Sequence, residues 1–193
     1  MSTIVPLFPT LLLKLEIDPP KDLIDFVHTY YKQNKYTTRE RSSRLGWQSS
    51  TLDIQQLQPV HQHIHDNTTI DLALGPAWIN VNHTGAYNVT HIHPNCDYTF
   101  VYYLTDNNAE LVLDCPNMYA YHNHQHIQTK QTKQQYNLGL EHRIQPTKGM
   151  LLMFPSYVPH RVEVNTHTES RMSMSWGGDC INNIHTKRIH PRQ

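Results

Sequence analysis

The sequence has no excess charge of either sign: its 193 residues carry 16 Lys plus Arg against 16 Asp plus Glu. A balanced chain lacks the basic face that polyanions require, which argues against nucleic acid as a partner. No apolar run approaches the roughly 20 residues that span a bilayer, so no membrane partner is expected. The opening stretch "MSTIVPLFPTLLLKLEID" lacks the basic flank and small-residue cleavage site of a secretory signal. Cysteine is scarce as well. Cys96, Cys115 and Cys180 are widely spaced, odd in number and without a CxxC, a usage that fits a reducing cytoplasm better than a disulfide framework. Nor is there a repeat, a low-complexity tract or a Gly/Ser-rich linker to mark a boundary. Residues 1–193 therefore read as one domain, large enough to bury a core.

What the sequence has in abundance is histidine, 15 residues in all. Their placement depends on the elements around them. In "DPPKDLIDFVHTYYKQN", Leu23, Ile24, Phe26, Val27, Tyr30 and Tyr31 recur at helical spacing behind Asp18 and two prolines, the signature of a helix start. Leu52, Ile54, Leu57, Val60 and Ile64 predict a second helical region, with Pro59 as a break or a start. From about residue 70 the texture changes to short β-branched and aromatic runs: "AWINVN", "YTFVYYLT", "ELVLDCP", "QYNLGLE", "GMLLMFP", "HRVEVN" and "SRMSMSW". Such runs, separated by Gly, Pro, Asn and Asp, predict a β-sandwich or barrel. Helices over about 1–70 and strands over about 71–180 make the chain α+β, with the helices packed on one sheet.

The stretch "YNVTHIHPNCDYTFVYYLT" sets His91 and His93 two apart before an apolar strand. Residues i and i+2 of a strand share a face, so the pair has the spacing of two metal ligands, although packing alone is the commoner use of an HxH. His160 follows Pro159 at the end of another apolar run, where its side chain can be aimed into a barrel mouth. Arg171 opens "RMSMSW", placing Arg171, Ser173 and Ser175 on one face and Met172 and Met174 on the other. An interior arginine is costly to bury unless it meets an anion, and its planar fork suits a carboxylate. "HQHIH" (His61, His63, His65) falls in a helical stretch where alternate residues diverge, so a solvated face is expected there. His122, His124 and His126 sit in a long polar segment, expected to be loop decoration or a substrate-facing lid. Trp47 reads as a packing anchor, and Cys96 has no paired cysteine to support a zinc site.

An HxH, a distal His160, and an Arg-x-Ser eleven residues further on resemble the pattern of Fe(II)- and 2-oxoglutarate-dependent oxygenases. The chain is similar along nearly its whole length to a small bacterial and phage family of that class, related to prolyl hydroxylases. The stretches "LFPTLLLKL", "GWQSSTL", "YNVTHIHPNCDYTFVYYL", "GMLLMFPSYVPHRVEVN" and "RMSMSW" carry the likeness. The resemblance implies a double-stranded β-helix, a cupin-like jelly roll with the metal at its open end. It implies Fe(II) held by His91, His93 and His160, and 2-oxoglutarate gripped by Arg171 with help from Ser173 and Tyr102. The primary substrate, a peptide or a small molecule, would be hydroxylated with O2, a prolyl or other peptidyl residue being preferred. His93 stands where the family usually has an acidic residue, which leaves Asp97 as the rival third ligand. Two other readings stay open at this point: a three-histidine dioxygenase that does not use 2-oxoglutarate, and a non-catalytic jelly-roll binding module.

Overall fold

The structure, a computed structural model, describes residues 9–39, 41–52, 54–67, 72–117, 119, 130–135 and 139–180. Among these residues the strands form two antiparallel sheets. The larger runs in the order β1 (Leu13–Glu16), β9 (Met150–Pro155), β6 (Tyr98–Tyr103), β11 (Arg171–Cys180), β4 (Leu72–Asn82) and β3 (Trp47–Gln48). The smaller runs β2 (Ser43–Arg44), β5 (Tyr87–His91), β10 (His160–Val162), β7 (Leu111–Asp114) and β8 (Glu141–Ile144). Neighbours in each sheet are distant in sequence, as a jelly roll requires, and only side-chain patterning can keep their register.

That patterning gives the larger sheet two different faces. Ala77, Ile79 and Val81 of β4, Phe100 and Tyr102 of β6, and Met172, Met174 and Trp176 of β11 point one way. They are buried beneath the expected helices, α1 (Lys21–Asn34) and α2 (Ile54–Asp66), which contribute Leu23, Val27, Val60 and Ile64. The opposite face looks toward the smaller sheet, and its character changes from one side to the other. Along β6 and β9 it is apolar, with Val101, Tyr103, Leu152 and Phe154 in a second core shared with Leu111, Leu113 and Val162. Along β4 and β11 it is polar but buried, with Asn80, Asn82, Arg171, Ser173 and Ser175. Polar groups are removed from water only where something meets them, so this half of the interior is where a ligand is expected.

Several sequence expectations are corrected. Helix α2 runs through Pro59 without a break. Pro59 is the sixth residue, so one internal backbone bond goes unmade, and the helix continues past it. The run "QYNLGLE" is not a strand along its described part before the last residue, Glu141. Residues 139–140 form a bend, and β8 begins at Glu141, where Glu141 and Arg143 pair outward at 2.9 Å and Ile144 is buried. A short helix, α3 (Lys130–Gln135), lies in the polar segment; His122, His124 and His126 fall outside the described residues. The HQHIH histidines diverge, but the expected solvated face holds only in part: His61 packs 6.3 Å from the Trp176 ring with its Nε2 buried, His63 meets the Asp18 carbonyl at 3.0 Å, and His65 is exposed beside Asp66. Trp47 is the packing anchor anticipated, 3% exposed, with its indole N–H shared by the Asn34 and Thr37 carbonyls.

Candidate active site

His91 closes strand β5 and His160 opens β10, and the two are direct cross-strand partners. The register slips between His160 and Val162, an irregularity of the kind that re-aims side chains at sheet ends. His93 lies past the end of β5 rather than on it. Its position is fixed instead by its backbone N–H, which donates to the Ser156 carbonyl at 3.1 Å in the turn leading to His160. The Ser156 hydroxyl in turn donates to the Cys96 carbonyl, and Asn95 takes the left-handed conformation with φ 74°. So the chain that leaves His93 after Pro94 is tied to the turn that delivers the third histidine.

The three rings converge. Their centroids are 4.9 Å apart for His91 and His93, 4.3 Å for His91 and His160, and 5.0 Å for His93 and His160. One ligand atom from each lies within 4.8 Å of the others, and no other such cluster of His, Cys, Asp or Glu occurs among the described residues. Hydrogen bonding also fixes which nitrogen is offered. His91 Nδ1 is 2.7 Å from the Val89 carbonyl, and His160 Nδ1 is 2.9 Å from the Val158 carbonyl. A carbonyl can only accept, so both Nδ1 atoms carry the proton and both Nε2 atoms present a lone pair. Nε2 of His93 lies 3.2 Å from Nε2 of His160. Two nitrogens each about 2.1 Å from one ion at 90–109° stand roughly 3.0–3.4 Å apart, so the donor set fits a metal.

Protonation favours the same role. Burial, followed by the charge of His91, pushes His160 down to about 3. Burial, then the charges of His91 and Arg41, pushes His93 down to about 4. Burial also lowers His91, against the bond to Val89. All three are neutral imidazoles at physiological pH, the form that ligates.

The histidines open into a cleft that reaches Arg171. Arg171 is 2% exposed, and Ser173 Oγ accepts from its Nη1 at 3.4 Å. Its guanidinium carbon sits 4.8 Å from the centre of the Tyr103 ring, while its Nε and the Tyr103 hydroxyl are buried without hydrogen-bond partners. Burial raises the Tyr103 pKa and Arg171 opposes it, so the phenol stays protonated and able to donate. Among the described residues no carboxylate lines the cleft. A buried cation and a buried O–H donor without acceptors form a cradle for a ligand carboxylate.

Of the residues anticipated from sequence, His91, His93, His160, Arg171 and Ser173 come together here. Tyr102 does not. It points to the helix side of the sheet, where its hydroxyl donates to the Ile17 carbonyl at 2.7 Å. Tyr103, one residue on and paired with Ser173 in β11, occupies the position beside Arg171. The error has a physical source: β6 is buried on both faces, so no apolar–polar alternation tells its two tyrosines apart. Asp97 is also outside the cluster. Its backbone N–H donates to Gly178 O at 3.1 Å and Asp179 Oδ1 at 3.0 Å, at the far end of β11. Cys96 is likewise no ligand, since burial raises its pKa and Sγ contacts the His93 carbonyl at 3.5 Å. Asn80 and Trp78, which sequence reasoning passed over, line the cleft. The parity of β4 against its apolar residues would have marked them.

A family model described as "Putative 2OG-Fe(II) oxygenase" matches residues 76–177, a span that takes in every residue of the cleft contributed by β4 to β11. The chain belongs to this family of enzymes, dioxygenases that use Fe(II), 2-oxoglutarate and O2. No curated protein matches the sequence. Among solved structures, a prolyl-4-hydroxylase from Pseudomonas putida is similar at 16% identity and TM-score 0.57, covering 88% of this chain and 93% of that one. A prolyl hydroxylase from Trichoplax adhaerens, in complex with a hypoxia inducible factor oxygen degradation domain peptide fragment, gives 13%, TM-score 0.60, and 91% and 86%. HygX from Streptomyces hygroscopicus, with nickel and 2-oxoglutarate bound, gives 10%, TM-score 0.52, and 89% and 83%. At these identities the likeness concerns the fold, the double-stranded β-helix. Family membership, not fold, sets aside the binding module and the dioxygenase that dispenses with 2-oxoglutarate. No helix among the described residues is long and apolar enough to cross a membrane.

Proposed function

We propose that this oxygenase hydroxylates a C–H bond of a peptidyl residue, with proline the first to test. Iron is held by His91, His93 and His160, and the far carboxylate of 2-oxoglutarate by Arg171, Ser173 and Tyr103. The observation that carries the reading is the buried Arg171, without a protein carboxylate in its cleft, facing three converged neutral imidazoles. Iron bound there supplies the dioxygen chemistry, in which 2-oxoglutarate, O2 and R–H become succinate, CO2 and R–OH.

The chain's own residues do the positioning. Val89 and Val158 hold the His91 and His160 rings by their Nδ1–H groups, so both Nε2 lone pairs point inward before any ion arrives. Arg171 supplies a fixed positive charge in a water-poor interior, and the Tyr103 hydroxyl supplies a neutral donor at the same end. Apolar Val101, Leu111 and Val162 restrict water around the bound co-substrate. The reading treats residues 1–193 as one oxygenase domain working in the cytoplasm, in keeping with the free thiols of Cys96 and Cys115. The prolyl preference draws on the prolyl hydroxylases among the similar folds.

Succinate release from 2-oxoglutarate with Fe(II), measured with proline-containing peptides and with a metabolite panel, tests both parts. Stimulation by a proline peptide, with a gain of 16 mass units on that proline, supports the substrate. Stimulation by metabolites alone removes the peptidyl preference, and no 2-oxoglutarate turnover or binding removes the site assignment.

A further inference from the structure

Exposure falls along one face of β4. Trp78 is half-buried, Asn80 is 7% exposed and Asn82 is fully buried. Their partners in β11 are Ser175, Ser173 and Arg171, in the same order. The Arg171 end of the cleft is therefore its closed end, and Trp78 stands at the open one. The rest of the lining agrees: apart from Trp78, His91 and His93, every residue that lines the cleft is buried. A co-substrate gripped by Arg171 fills the closed end and reaches toward the histidines. The primary substrate has to arrive from the other side, past Trp78. The indole is held in place there. Its ring lies 5.3 Å from the His93 ring, the spacing of a packed aromatic pair. Its N–H is 3.0 Å from the Gln48 carboxamide oxygen in the orientation in which Gln48 also donates to the Arg39 carbonyl. With that donor engaged, Trp78 offers an incoming molecule only the apolar face of its ring.

We propose that Trp78 selects the primary substrate, by packing its indole face against an uncharged aliphatic ring that carries the C–H bond to be hydroxylated. The inference rests on the iron and 2-oxoglutarate assignment above, and it names the residue that gives that site a preference for proline. Charge argues for a neutral group. Among the described residues that line the cleft, Arg171 alone carries a fixed charge, and it lies at the closed end with the co-substrate. A charged group brought to the mouth would lose water without meeting a counter-charge. Flexibility argues for a ring. A pyrrolidine is apolar and already rigid, so holding it against an aromatic face costs little conformational entropy.

The test uses the whole chain loaded with Zn(II) and saturating 2-oxoglutarate, without oxygen. Zinc content and 2-oxoglutarate binding are measured first, and failure at that stage counts against the site assignment rather than this inference. Short labelled Gly/Ser peptides that differ only in a central Pro, Gly or Asp are then compared by equilibrium dialysis. The Pro peptide is expected to bind and saturate, with the Gly and Asp peptides weaker by about three- to tenfold, the range of one aromatic packing contact. Trp78→Phe, which keeps an aromatic face, is expected to retain most of that preference. Trp78→Ala is expected to lose it, with zinc content and 2-oxoglutarate affinity preserved. With Fe(II) and O2, the same variant is expected to raise KM for the Pro peptide more than it lowers kcat. Four results would each overturn the proposal: no binding of the Pro peptide, a Gly or Asp peptide that binds as tightly, an unaltered preference in Trp78→Ala, or loss of 2-oxoglutarate affinity in that variant.

Discussion

The Arg171 guanidinium lies over the Tyr103 ring, 4.8 Å from its centre, and neither the Arg171 Nε nor the Tyr103 hydroxyl has a hydrogen-bond partner. Both groups are donors that a carboxylate in the cleft would satisfy. Arg171→Ala is expected to weaken 2-oxoglutarate about ten- to a hundredfold, the range of a charge-assisted bond, with metal content retained. Tyr103→Phe separates binding from stability. Deleting a buried hydroxyl that has no partner leaves the melting temperature equal or higher, while 2-oxoglutarate binding falls several-fold. Calorimetric titration and thermal denaturation of the two variants check both outcomes. A destabilised Tyr103→Phe with unchanged binding would mean that the hydroxyl serves the core.

The parity of β11 was legible because Met172, Met174 and Trp176 alternate with Arg171, Ser173 and Ser175, so the buried arginine could be read directly. The convergence of His91 and His160 was only partly legible. That each sits at the end of an apolar run is a local fact, whereas their cross-strand pairing is set by the whole jelly roll. The same holds for β1, β2 and β3, which are four, two and two residues long. Segments that short carry no period of their own and are ordered by the strands they join. His93 is the instructive case. Its place came from a strand rule, yet it lies past the strand and is held by a backbone bond to Ser156 that no spacing encodes.

Removal of His93 and of Asp97 should differ sharply. His93→Ala deletes one of three converged nitrogens and is expected to lose iron outright, by more than the roughly 10–100-fold of a supporting residue. Asp97→Ala keeps the backbone N–H that binds Gly178 O and Asp179 Oδ1, and most of the iron is expected to remain. His93→Asp restores the usual acidic ligand type of the class and is expected to bind iron. Metal analysis of the three purified variants decides the order, and iron loss in Asp97→Ala alone would transfer the ligand role to Asp97.

His61 should contribute to acid sensitivity away from the cleft. Burial against Trp176 lowers its pKa in the folded chain, and its Nε2 is buried without a partner. The unfolded chain titrates near 6.5, so below that pH it binds a proton that the folded chain refuses. Protons bound more by the unfolded state make stability fall as pH drops from about 6.5 toward the lower folded value. His61→Leu removes this linkage and the partnerless nitrogen together. Its melting temperature at pH 7.5 is expected to be equal or higher, and its loss between pH 7.5 and 5.5 smaller than in the native chain. Identical pH profiles would show that His61 is protonated equally in both states.

Trp78 offers a view of the metal that does not depend on turnover. Its indole lies 5.3 Å from the His93 ring, and its N–H is 3.0 Å from the Gln48 carboxamide, whose oxygen accepts when the amide also donates to Arg39 O. The other two tryptophans, Trp47 and Trp176, are buried in the core on the helix side of the larger sheet. A paramagnetic ion seated among the three histidines therefore has one tryptophan within close reach. Titration with Co(II) or Ni(II) is expected to quench part of the emission with one-to-one stoichiometry, while Zn(II) binds with little quenching. Trp78→Phe should abolish most of the quenching and leave the measured metal content unchanged, because the indole touches a ligand ring without being a ligand. Persistence of full quenching in that variant would place the bound ion nearer Trp47 or Trp176, and so away from His91, His93 and His160.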